Sequence, residues 1–144
     1  MPKKFSFRLD SVLKLRTYKV KQEKEALLQV QSLRIKKDEE IDNLKNELES
    51  TYKNKKGKIS VEILQQNFYR QEYIKENIKK LENDKKRLLE IEEQRKKIFF
   101  EAMKEEKVLL KLKEKKLAEY KFELDQEDQK VMDEIAVNLD YDDK

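Results

Sequence analysis

Cysteine, histidine and tryptophan are missing from this 144-residue chain, and glycine (Gly57) and proline (Pro2) occur once each. Without Cys or His there is no disulfide framework, no thiol nucleophile, no imidazole base and no ordinary zinc ligand set. A single Gly cannot build a phosphate-cradling loop or a dinucleotide fingerprint. So few turn residues cannot supply the many reversals of a compact globular domain. No apolar run approaches the roughly 20 residues that span a bilayer. The opening Met1-Pro2-Lys3-Lys4-Phe5-Ser6-Phe7-Arg8 is basic but lacks the apolar stretch of a signal peptide, so a cytoplasmic location is expected.

What the chain does hold is charge (46%) and a regular supply of Leu and Ile, with Lys, Glu and Gln between them. These residues lose little rotamer freedom in a helix. The composition predicts an all-α protein of long helices in a coiled coil. Net charge is +4 but uneven: residues 1–60 carry +7, 61–120 carry +3 and 121–144 carry −6. The signs are interspersed along both helices, as on solvated faces. Paired carboxylates such as Glu92-Glu93 and Glu105-Glu106 do not by themselves make a catalyst. General acid–base chemistry needs a partly dry concave site, and two helices offer no such interior. Neither enzymatic activity nor a cofactor or metal is expected, and Asp140-Tyr141-Asp142-Asp143 lacks the Gly turn and final Glu of a calcium loop. The lysine pairs, Lys55-Lys56 and Lys115-Lys116 among them, have acidic neighbours and do not form a nucleic-acid-binding basic region.

Apolar periodicity places a first helix over about 9–52, capped near Ser6 or Asp10. Its seam reads Leu9, Leu13, Arg16, Val20, Glu23, Leu27, Val30, Arg34, Lys37, Ile41, Leu44 and Leu48, in alternating steps of four and three. Arg16, Glu23, Arg34 and Lys37 interrupt it, with Ala26, Leu33 and Ile35 at hand to fill the gaps. Polar seam residues cost stability but fix register. Lys53-Asn54-Lys55-Lys56-Gly57-Lys58 is the break, a loop over about 53–59, because Asn and Gly tolerate left-handed backbone angles. One continuous helix is the alternative, since a lone Gly costs only ~1 kcal/mol within one. Ser60 and Glu62 open a second helix over about 61–136, followed by an acidic tail, 137–144, all in a single coiled-coil domain. The second seam begins Ile74, Ile78, Leu81, Lys85 and Leu88. It shifts phase to Ile91, Ile98, Ala102 and Leu109, then again to Leu110, Leu117, Leu124 and Val131.

The two helices are unequal. Folding back at Gly57 sets Leu9 opposite roughly residue 105 and leaves Glu106 to Ala136 without an intramolecular partner, an overhang of ~45 Å. Leu110, Leu117, Leu124 and Val131 on that overhang are candidate partner-binding residues, with self-pairing into a structural homodimer as the alternative. A second candidate is the cluster Phe68, Tyr69, Tyr73 and Ile74 near the break; not all of it fits one narrow seam, unless it caps the hairpin tip against Tyr52 and Ile59.

Both ends of the chain resemble one family. Phe5-Ser6-Phe7-Arg8-Leu9-Asp10-Ser11-Val12-Leu13-Lys14-Leu15-Arg16 is similar to the opening of the FliJ proteins of the flagellar type III export apparatus, with two spaced Phe, then Arg-Leu, then Val-Leu-x-Leu-Arg. Leu109 to Tyr120, continued by Glu127-Asp128-Gln129-Lys130-Val131-Met132-Asp133-Glu134-Ile135-Ala136, is similar to that family's closing helix, which ends in Gln-Lys-x-x-Asp-Glu-x-Ala. The resemblance implies an antiparallel two-helix coiled coil like the shaft subunit of rotary ATPases. It implies a role in flagellum biogenesis and motility as a non-enzymatic partner of a hexameric export ATPase. Contacts with a transmembrane export gate protein and with export chaperones are implied as well, with peripheral attachment to the membrane through those partners. On this resemblance Phe68, Tyr69, Tyr73 and Ile74 fall where the gate-contacting surface lies, and the termini form the ATPase-proximal end.

Overall fold

The computed structural model describes residues 4–53 and 60–142. The described residues form two α-helices, α1 (Asp10–Lys53) and α2 (Val61–Asp142), and no strand. The break at Gly57 lies outside the described residues. Each helix starts as local chemistry dictates. Asp10 supplies an acid in the first turn of α1, and its amide donates to the Phe7 carbonyl at 3.1 Å. The Ser60 hydroxyl accepts from the Ile63 amide at 3.3 Å, an N-cap for α2. The helix expected to end near Ala136 continues to Asp142, so most of the acidic tail is helical; no Gly or Pro in 137–142 stops it.

The helices run antiparallel and pack along one seam. The fold divides into two compact units, residues 1–21 with 101–144 and residues 22–100. All twelve seam positions read from the α1 sequence are buried or half-buried, from Leu9 to Leu48. In the 22–100 unit, Leu27 and Ile41 of α1 and Ile74 of α2 are buried, and Ile78, Leu81, Lys85 and Leu88 are half-buried along the same α2 seam. In the other unit, Phe7, Leu13 and Ala102 are buried.

Three expectations are corrected. First, α2 does not shift phase at Ile91. Ile91 and Ile98 are exposed, while Glu92, Arg95 and Phe99 continue the seam in even steps of three and four. Second, Leu33 and Ile35 do not fill the polar gaps of α1, because both are exposed. Three of the four gaps are filled across the seam by charge, while Lys37 pairs within α1 with Glu40 at 3.7 Å. Arg34 Nε donates to Glu92 Oε2 at 2.6 Å, Arg95 lies 3.6 Å from Glu23, and Arg16 pairs with Glu105. What looks in one helix like a seam interrupted is, in two, a ladder of complementary pairs. Third, the register is offset. Lys113, not residue 105, lies across from the start of α1, its Nζ 3.2 Å from Asp10 Oδ1. Asp38 pairs with Lys85 at 2.6 Å, so the pairing in the 22–100 unit carries a like offset.

Candidate docking surfaces

The offset register leaves one stretch of α2 unpaired at each end. In the 22–100 unit the last ion pair across the seam is Arg70 with Glu47, at 2.7 Å, and α1 stops at Lys53. The first turns of α2 are consequently exposed. Val61, Leu64 and Phe68, at three- and four-residue spacing, share one flank, and Tyr69 and Tyr73, one turn apart, share another. The Phe68 and Tyr69 rings lie edge to face with centroids 6.0 Å apart. Ile74 is different: only 3% exposed, it faces α1 and holds the hairpin together, so it cannot serve as an outward contact while the helices stay packed.

In the other unit α2 outruns α1, but by less than folding at Gly57 implies. Ahead of α1, residues 4–7 are non-helical and run on beside α2. Phe7 is buried, and the Phe5 ring sits 5.6 Å from that of Tyr120. Between this segment and α2 runs a groove of about 780 Å³, lined on the α2 side by Leu112, Tyr120 and Leu124, with Lys116, Glu119, Glu123 and Glu127 on its rim. Leu117 and Leu124 are accordingly half-buried, whereas Leu110 stands off the seam and is exposed. Glu127 is the last α2 residue to line the groove. Beyond it Val131, Ile135 and Leu139 are 54%, 53% and 61% exposed, with Met132 beside them.

Reading the sequence alone missed Phe5 and Phe7 as packing residues, although aromatic side chains just ahead of a helix cap are a staple signal. It also stopped the apolar stripe at Val131; the spacing Leu124, Asp128, Val131, Ile135, Leu139 carries it on. Two carboxyls along the hairpin have their acidity set by geometry. Lys113 donating to Asp10 holds that exposed carboxyl below its usual 3.8, opposed by partial desolvation. The Arg34 hydrogen bond holds the Glu92 carboxyl below its usual 4.5, against the cost of burial, and Gln31 and Lys96 add to the effect. Among the described residues no group of three acidic side chains is placed to hold a metal, and no helix is long and apolar enough to cross a membrane.

Comparison with known proteins returns one relationship. No curated protein and no solved structure matches the chain. The family model of the flagellar FliJ protein matches residues 5–141, taking in the Phe5–Phe7 segment, both helices and the unpaired end of α2. A match over nearly the whole chain, on a two-helix antiparallel coiled coil, leads to one conclusion: the chain belongs to the FliJ family and is a component of the flagellar protein-export apparatus.

Proposed function

We propose that this protein couples the hexameric export ATPase to the transmembrane export gate and passes export chaperones between them, without chemistry of its own. Its attachment to the membrane is peripheral, through those partners. The observation that carries the reading is the continuation of α2's apolar stripe past the stretch that the described residues of its own chain cover. An exposed helix stripe gains stability only by packing, and here no described residue supplies it. In this reading the ATPase ring contacts the α2 end through Val131 and the partly covered Leu117 and Leu124, with Leu110 on the adjoining face. The gate contacts Phe68, Tyr69 and Tyr73, whose rings offer large contact area at low entropy cost. Ile74 sets the position of that patch from inside the seam.

The mechanism is a population shift. A stiff element that binds one state of the ring better than another moves the ring's equilibrium by that difference in affinity. ATP hydrolysis and hexamer formation by the cognate ATPase, measured with and without this protein, test it. A change in either is expected; unchanged turnover together with unchanged assembly would sink the coupling role.

A further inference from the structure

We infer that the surface receiving the unpaired end of α2 is an apolar groove with a basic rim. The inference rests on the reading that this end docks to a partner, and it adds the partner's charge. Two observations carry it. Residues 125–140 hold six acids and a single base, Lys130, although the chain as a whole is net positive; by helical spacing Asp128 lies on the exposed stripe and Asp125, Glu127 and Glu134 flank it. Asp140, with Asp142 beyond it, also sits in the last turn of α2, where a helix least tolerates acids. A helix C-terminus carries a partial negative charge, so cations stabilise it and anions do not. The last turn of α2 holds no basic residue, whereas α1 ends on Lys53.

The isolated end is therefore opposed by its own field, and nothing on the described chain offsets it. Cations supplied from outside would neutralise the acids and the helix terminus while the groove covers Val131, Ile135 and Leu139. A second copy of the same end would bring like charges together over a small apolar area. An anionic lipid or nucleic-acid surface would be repelled.

The test uses the full-length protein and two synthetic amphipathic helices with one Leu/Ile stripe, one flanked by Lys and Arg, the other by Glu and Asp. The basic helix is expected to bind at least about tenfold more tightly, and raising the ionic strength from about 0.05 to about 0.5 M should weaken it about tenfold. Asp125→Lys with Glu134→Lys, one acid on each side of the stripe, should remove most of that preference. Val131→Asp with Ile135→Asp should abolish binding of both helices, far-UV helicity being checked in each variant.

Equal binding of the two helices would overturn the inference. So would a wild-type dimer that Val131→Asp converts to monomer, because the occupant would then be a second copy. The same variants against the export ATPase separate this inference from the proposed function. An ATPase that binds regardless of Asp125→Lys and Glu134→Lys refutes the basic rim and leaves the docking role standing. An ATPase that does not bind at all, with the peptide preference intact, does the reverse.

Discussion

Replacing Glu92 by Gln tests whether the charged rungs hold the two helices together. The carboxylate is 4% exposed and accepts from Arg34 Nε at 2.6 Å, with Lys96 3.7 Å away. Gln keeps the volume and one acceptor but removes the charge. Removing one partner of a deeply buried ion pair costs about 3–5 kcal/mol, and of an exposed one about 0–1 kcal/mol. Little of Glu92 touches water, yet only two helices surround it, so its desolvation is shallow. Arg34 also keeps a second partner, Asp38 at 3.5 Å. The lower part of the range applies, and a loss of about 1–2 kcal/mol is expected at pH 7, read by urea unfolding followed by far-UV circular dichroism.

The pH dependence has a definite sign. The folded carboxyl lies below its usual 4.5, so the pair's contribution is fully present above that value and is lost as pH falls through the folded value. The gap between wild type and Glu92→Gln should therefore close in acid. Arg34→Met in the same background completes a double-mutant cycle, with a coupling energy of about 1 kcal/mol expected. A loss under about 0.3 kcal/mol at pH 7, or a gap that widens in acid, would show that the rungs are ordinary surface pairs and that apolar contacts alone set the packing.

Three further outcomes follow from the same geometry. Ile74→Ala should cost about 2–4 kcal/mol in urea unfolding, while Phe68→Ser with Tyr69→Ser should stay within about 0.5 kcal/mol of wild type yet lose gate binding in a pull-down. The Asp10 carboxyl should titrate below 3.8 by NMR, and Lys113→Gln should bring it back toward that value, because the Lys113 hydrogen bond is the largest cause of its shift. Leu117→Asp with Leu124→Asp should lower the melting temperature and weaken ATPase binding together, since both residues are half-covered by their own chain. Val131→Asp with Ile135→Asp should lower binding alone; equal melting losses for the two variants would erase the distinction between covered and uncovered α2.

Helical periodicity is a local property, and that is why so much of the hairpin was legible from residue order. The four-three spacing of Leu9 to Leu48 names the buried face of α1 before any partner is known, including the polar positions Arg16, Glu23, Arg34 and Lys37. Composition fixed the all-α class, and Ser60 marked the start of α2. Register is a relation between segments, and no single-helix pattern contains it. Glu105 answers Arg16 across 89 residues, and Glu92 answers Arg34 across 58. Only when those partners met did Glu92 and Arg95, polar in sequence, prove to be seam, and Ile91 and Ile98, apolar in sequence, prove to be surface. A matched charge pair can occupy an interface that an isolated charge cannot, so the tertiary arrangement overrode hydrophobicity at those sites. The same offset, together with the non-helical Phe5–Phe7 segment, decided how much of α2 the described residues cover and how much stays exposed.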